Sequence, residues 1–141
     1  MIINNIGQVK RAITSQTHKI DEGARLARDE MMTTFIQLAQ EEIKGQRAKI
    51  GSKWEKATPN EPPKNRTGNL RRSIRGEKSR EGFASYTAVV GPTVGVYARA
   101  LEMGGKYAPP SWKNQQSYPY MKPAYEKFKK VFMTIVHKHL G

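Results

Sequence analysis

Between Ile6 and Ile43 the apolar side chains fall at Ile6, Val9, Ile13, Ile20, Ala24, Ala27, Met31, Phe35 and Leu38. Their spacing, in steps of three, four or seven, follows the turn of an α-helix and not the alternation of a strand. The pattern predicts a long helix over residues 1–44. Asn4 or Asn5 can cap its start, because a short polar side chain there accepts an orphan N–H, and Gly45 can end it. Unbroken, such a helix reaches roughly 60 Å, longer than a compact small domain. Two alternatives follow. Either the helix breaks near Thr14–Thr17, where polar and β-branched residues interrupt the stripe, or its first segment protrudes and packs on a neighbouring subunit.

Residues 45–66 keep no period and hold three prolines with many charges, so they are expected to form a loop of about twenty residues. Trp54 stands alone within it, either folded back on the core or free to stack on a base or fill a partner's pocket. Thr67 can cap a single turn through Ser73, with Leu70 and Ile74 four apart on one face. Two strands are expected at 73–78 and 83–90, joined at Ser79-Arg80-Glu81-Gly82. The second has Phe83, Thr87 and Val89 on one face and Tyr86, Ala88 and Val90 on the other. The first is polar, with one side in solvent, and Gly91-Pro92 stops the sheet. Val96–Met103 reads as a short helix ended by Gly104-Gly105. Residues 106–117 form a second loop carrying Pro109-Pro110 and Trp112, and Tyr118–Met121 can add a strand. Pro123 suits the first turn of a closing helix over 122–141, where its missing N–H costs nothing. The apolar face of that helix is Phe128, Val131, Phe132, Ile135 and Val136, with Lys127, Lys129, Lys130 and Lys138 outside.

The expected fold is α+β: a long N-terminal helix and a C-terminal helix packed on a small antiparallel sheet, with long loops. One domain over residues 1–141 fits the length, with residues 67–121 as the sheet region. Only 37% of residues are hydrophobic, which is thin for a self-sufficient globule and points to an extended shape or a surface completed by partners. There is no cysteine, so disulfides and thiolate metal sites are excluded. The first residues lack a basic segment followed by an apolar core, so no secretory signal is expected. No apolar run approaches the ~18 residues of a membrane span.

The formal charge is +13 and unevenly spread. Residues 1–44 are neutral, whereas residues 45–80 carry eleven basic side chains against three glutamates. Such a block attracts polyanions or acidic protein surfaces through its summed field, or is simply a solvated loop. Catalytic groups at workable spacing are not found. His137 and His139 are two apart on a helix and point to different faces, which does not make a metal pair. Gly105-Lys106 lacks the glycine spacing of a phosphate loop, and Glu81 and Glu102 are the only carboxylates in residues 81–120. A small basic nuclease would have to assemble a His–Glu–Lys site in space, with His137 and Glu102 as its candidates. No enzyme activity, cofactor or metal is expected.

In order and spacing, three motifs resemble the tail-completion, or neck, proteins of long-tailed bacteriophages. After Pro63 the first reads Thr67-Gly68-Asn69-Leu70-Arg71-Arg72-Ser73-Ile74. The second is Tyr97-Ala98-Arg99-Ala100-Leu101-Glu102-Met103-Gly104, and the third Pro119-Tyr120-Met121-Lys122-Pro123-Ala124. The resemblance covers about residues 62–138. It departs at Tyr120, where the family more often has Phe, and in the two long loops.

The resemblance implies a non-enzymatic virion protein that forms a ring, commonly of six subunits, at the head-proximal end of the tail. Its partners would be copies of itself, the tail-tube protein, the head-completion or stopper protein, and genomic DNA passing through the lumen. It would reside in the virion neck, and in the host cytoplasm during assembly, without a membrane. Thr67, Gly68, Leu70, Ser73, Ile74, Tyr97, Ala98, Glu102, Gly104, Pro119, Pro123 and Ala124 would define the fold. Trp54, Lys64, Arg66, Arg71, Arg72 and Arg75 are candidate contacts to acidic partners or the DNA channel. The rival reading is a small basic nucleic-acid-binding module using the 45–80 block.

Overall fold

The first helix, α1, runs unbroken from Ile6 to Glu42 and is therefore roughly 55 Å long. The computed structural model describes residues 6–43, 59–60, 62–63, 69–93, 96–104 and 116–141. The break considered at Thr14–Thr17 does not occur. Thr17 Oγ1 donates to the Ile13 carbonyl at 2.7 Å, so this β-branched residue satisfies its hydroxyl inside the helix instead of interrupting it. Asn4, Asn5, Gly45, Trp54 and Trp112 lie outside the described residues.

Five elements follow: α2 (Asn69–Ser73), β1 (Ile74–Gly82), β2 (Ser85–Pro92), α3 (Val96–Met103) and α4 (Met121–Leu140). The fold is α+β, with the two long helices and a two-stranded antiparallel sheet. The α4 helix lies antiparallel along α1. Lys127 pairs with Glu42 at one end, while Lys138 and His139 hold Glu30 at the other, at 2.9 and 2.6 Å. Between them Phe35 meets Phe128 edge to face, with centroids 5.3 Å apart. At the far end the helices touch through Gly23. A Cβ there would stand 2.5 Å from the His139 carbonyl oxygen, so only glycine allows the approach.

The hairpin departs from the expected boundaries. Its strands pair Ile74 with Pro92 through to Gly82 with Ser85, so the turn is Phe83-Ala84 and not Ser79–Gly82. Gly82 and Gly91-Pro92 belong to the strands. A two-residue turn favours positive φ, and Ala84 adopts φ 50° although it is not glycine. What holds it there is Asp21 on α1, whose carboxylate accepts the Ala84 N–H at 2.9 Å and the Tyr86 hydroxyl at 2.8 Å. The turn is set by a residue more than sixty positions away. The faces of β2 alternate: Tyr86, Ala88 and Val90 are half-buried, and Val89 is 71% exposed.

Tyr118–Met121 adds no strand. Tyr118 N–H donates to the Leu101 carbonyl at 2.6 Å, and Met121 already opens α4. The closing helix therefore begins one residue earlier than the sequence suggested. The buried core gathers Ala39, Ile43, Ile74, Leu101, Tyr120 and Ala124, where the ends of α1 and α3 meet the starts of β1 and α4. Among the described residues this cluster lies at the C-terminal end of α1, and Ala27 and Ile135 are buried farther along the two long helices.

Candidate functional site

Every described residue of α1 before Asp21 is exposed. Along this half, Ile6, Val9, Ile13 and Ile20 form a stripe with 66, 43, 61 and 49% of their surface open. An apolar stripe at helical spacing ordinarily faces a core. Here it faces none among the described residues. The same half carries Lys10, Arg11 and Lys19 and no carboxylate, whereas residues 21–42 hold six carboxylates against Arg25 and Arg28. The long helix is thus a basic projecting half joined to an acidic anchored half.

Where the anchored half begins, a cleft of about 440 Å³ opens between the hairpin and α4. Ala27, Met31 and Phe35 of α1 form its floor. Tyr86, Ala88 and Val90 make one wall, and Phe128 and Leu140 the other. The cleft exists because the hairpin and α4 pack on different sides of α1. Gly76 brings β1 so close that a Cβ would meet the Met32 sulfur at 2.5 Å.

Asp21 stands at the junction of the two halves. Hydrogen bonds from the Ala84 N–H and then the Tyr86 hydroxyl hold its carboxyl below the usual range, and Arg80 at 3.3 Å adds to this. The same bond pushes the Tyr86 hydroxyl up, because ionised tyrosine would face the Asp21 carboxylate. Two guanidiniums flank the Tyr86 ring, Arg28 at 5.1 Å and Arg80 at 5.4 Å from its centroid. Arg28 also donates to the carbonyls of Ser79 and Thr87, at 3.0 and 3.2 Å, tying both strands to α1. Among the basic groups, Lys138 and then His139 lower the Glu30 carboxyl.

The sequence-derived residues divide by position. Ser73, Ile74, Ala98, Leu101, Gly104 and Ala124 are buried, Leu70 packs half-buried against the core, and Pro119 and Pro123 are half-buried. Gly104, at φ 87°, ends α3 in the left-handed conformation that glycine tolerates. Glu102 does more than build α3. Its carboxylate accepts the backbone N–H groups of Tyr120, Met121 and Lys122 at 2.8, 3.1 and 3.0 Å, capping α4 from a distant element. Arg71 and Arg72 on α2 and Arg75 on β1 are exposed. Thr67, Gly68, Lys64, Arg66 and Trp54, and the side chain of Tyr97, lie outside the described residues.

The two residues of the nuclease reading stand apart, with Glu102 against the first turn of α4 and His137 in the last. A His–Glu–Lys trio does form from His139, Glu30 and Lys138, but its members are spent on one another at the α1–α4 contact. No group of three potential metal ligands occurs among the described residues. No described helix is long and apolar enough to cross a membrane. Sequence reading missed Asp21, Tyr86 and the cleft, whose parts come from segments far apart in the chain. Comparison with family models, curated proteins and solved structures finds no match.

Proposed function

We propose that this chain is a structural subunit of the neck of a long-tailed phage, forming a ring that joins the tail tube to the head-completion proteins and lets DNA pass. The observation that carries the reading is the projecting half of α1, whose stripe of Ile6, Val9, Ile13 and Ile20 is exposed. A stable small protein seldom leaves such a stripe in water unless another molecule covers it. A first helix whose described residues before Asp21 are all exposed suits a subunit completed by neighbours. In a cyclic ring each contact is heterologous, so one patch meets a different patch next door. The order of the three motifs supports this identity for the assembly, and the family it resembles commonly forms rings of six.

The exposed Arg71 and Arg75 fit contacts to acidic protein surfaces better than a grip on DNA, because a conduit gains nothing by holding what must slide. Segments that order on docking lose roughly 2–5 kcal/mol of the gross interaction energy, so the ring need not close in dilute solution.

The test is co-purification with phage tail tubes, read by electron microscopy. Subunits bound only at the head-proximal end are the expected outcome. Beside it, DNA binding is titrated against salt. Tight binding by a monomer, with a slope near −0.9 per neutralised phosphate, overturns the connector reading in favour of a nucleic-acid module.

A further inference from the structure

We infer that the cleft between the hairpin and α4 docks an extended segment of a partner protein. That segment adds antiparallel to the open edge of β2 and seats its alternate side chains on α1. Strand edge and cleft carry this together, independently of the neck reading.

One arginine defines the edge. Arg28 Nη1 donates to the carbonyl oxygens of Ser79 and Thr87, at 3.0 and 3.2 Å, and these two residues are register partners. A single nitrogen reaches both only where both carbonyls point inward, between the strands. Ser79–Thr87 is therefore a hydrogen-bonded pair, and by alternation so are Glu77–Val89 and Arg75–Gly91. The bond from the Thr93 N–H to the Ser73 carbonyl, at 3.0 Å, continues the same alternation. Ala88 and Val90, which fall between, turn both N–H and C=O outward, away from β1. None of these four groups finds a backbone partner outside the hairpin among the described residues.

That outward edge borders the cleft. Ala88 and Val90 line it, and no residue of β1 does. A strand laid beside β2, about 4.8 Å away, lies over Ala27, Met31 and Phe35, with Phe128 on its far side. Its residues directly opposite Ala88 and Val90 share their face and point down to α1. Lengths agree. The floor from Ala24 to Phe35 runs about 16 Å at the helical rise, and five extended residues span about the same.

Charge selects the edge and the occupant. From Arg75 to Glu81, β1 holds five charged residues; Lys78 and Arg80 pair with Asp29 and Asp21, and Arg75 and Glu77 are among those near its edge. Charged side chains along a strand disfavour a further strand beside it. β2 has no charge from Ser85 to Pro92, and Pro92, which lacks an N–H, closes it. Arg28 is the one charged residue lining the cleft among the described residues, and Asp29 and the two carbonyls already occupy its guanidinium. The inward side chains of the occupant are therefore uncharged and apolar. Open amides and carbonyls call for an extended backbone, which neither a helix nor a small apolar molecule supplies. Five residues bury less than the ~800 Å² per partner of a stable interface, so the affinity of the segment alone is modest.

Amide hydrogen exchange reads the edge residue by residue. In the free protein the Ala88 and Val90 amides should exchange fast, and those of Thr87 and Val89, bonded across the hairpin, slowly. The probe is an octapeptide of alternating valine and threonine with an added lysine at each end. Its binding should slow Ala88 and Val90 at least about tenfold. N-methylation of its valines removes the donors facing β2 and should weaken binding at least about tenfold, whereas N-methylation of its threonines should not. Ala88→Pro removes an N–H that the hairpin ladder does not use, so it should fold and fail to bind. Unchanged exchange of both amides at about 1 mM peptide overturns the inference. Slow exchange in the free protein overturns it too: independent of concentration, the edge is covered by the protein's own chain, and rising with concentration, by a second copy. Equal binding of the valine-methylated and unmethylated peptides overturns it in favour of an apolar pocket without strand addition. Where Ala88→Pro does not fold, the methylated peptides on the parent protein decide.

Discussion

The Glu102 carboxylate accepts the Tyr120 N–H at 2.8 Å, closing the gap between α3 and α4 across eighteen positions of chain. The same group takes the N–H of Met121 and Lys122, so three donors at the start of a helix converge on one negative charge. Both the unpaired amides and the helix dipole favour an anion there. Tyr120 itself is fully buried in the core. Glu102→Ala is therefore expected to cost about 2 kcal/mol, at the upper end for loss of a cap. Glu102→Gln, which keeps an acceptor and loses the charge, should cost about half as much. Urea unfolding at unchanged m-value measures both, and faster exchange of the amides of residues 120–122 locates the effect.

Three glycines separate three kinds of contact. At Gly7 an added Cβ meets only the Arg11 guanidinium, at 3.8 Å, so Gly7→Ala gains part of the ~1 kcal/mol of helix propensity. At Gly76 it meets Met32 at Sδ and Cγ, 2.5 and 2.6 Å away, and Ile36 Cδ1 at 3.3 Å, side chains that can repack in part, so the cost should be about 1 kcal/mol. At Gly23 it meets the backbone oxygen of His139, which cannot move without lifting the end of α4. Overpacking of that kind costs about 1–3 kcal/mol. Calorimetry should rank the Tm values Gly7→Ala, Gly76→Ala, Gly23→Ala from highest to lowest. Equal values for the last two would mean that α4 does not press on Gly23.

How much was legible in the chain follows from how local each determinant is. The spacing of apolar residues alone marks α1 and α4, and Gly104 marks the end of α3, because those signals lie within a turn or two. Gly82 resembles a loop residue, whereas the bond that places the hairpin turn comes from Asp21, across 63 positions. Tyr118–Met121 reads as a strand by composition, yet its backbone is taken by Leu101 and Glu102. The cleft has no sequence signal, for its floor and walls are brought together only by packing.

The tie between Asp21 and the hairpin should depend on acid. Folding lowers this carboxyl from its ordinary 3.8, so its contribution is complete above that pH and is lost as pH falls through the lower folded value. Glu30 behaves alike from its ordinary 4.5, through Lys138 and His139. Thermal stability is expected to decline as pH drops below about 4.5, through both groups. Asp21→Asn should be less stable at neutral pH and show a shallower acid decline. A decline as steep as that of the parent would assign the acid sensitivity to other carboxylates.

Ala84 sits at φ 50° without the freedom of glycine, held by the Asp21 carboxylate on its N–H. A left-handed conformation costs a residue with a Cβ about 1–2 kcal/mol, against which glycine loses more chain entropy on folding. Ala84→Gly is expected to raise stability by up to about 1 kcal/mol, as judged by chemical denaturation. In the Asp21→Asn background the gain should persist, because the strain belongs to the backbone and not to the carboxylate.

Folding and assembly should separate along α1 and α4. Ile135 is 6% exposed and packs within the body, so Ile135→Ala is expected to cost about 2–5 kcal/mol of folding stability. Ile13 is 61% exposed, and surface substitutions away from special contacts change stability by about 0.5 kcal/mol or less. Ile13→Asp should therefore melt with the parent protein while losing its tendency to self-associate in analytical ultracentrifugation. A drop in Tm comparable to that of Ile135→Ala would mean that the stripe is packed by segments of its own chain, and the projecting half of α1 would then be part of the fold and not a surface for assembly.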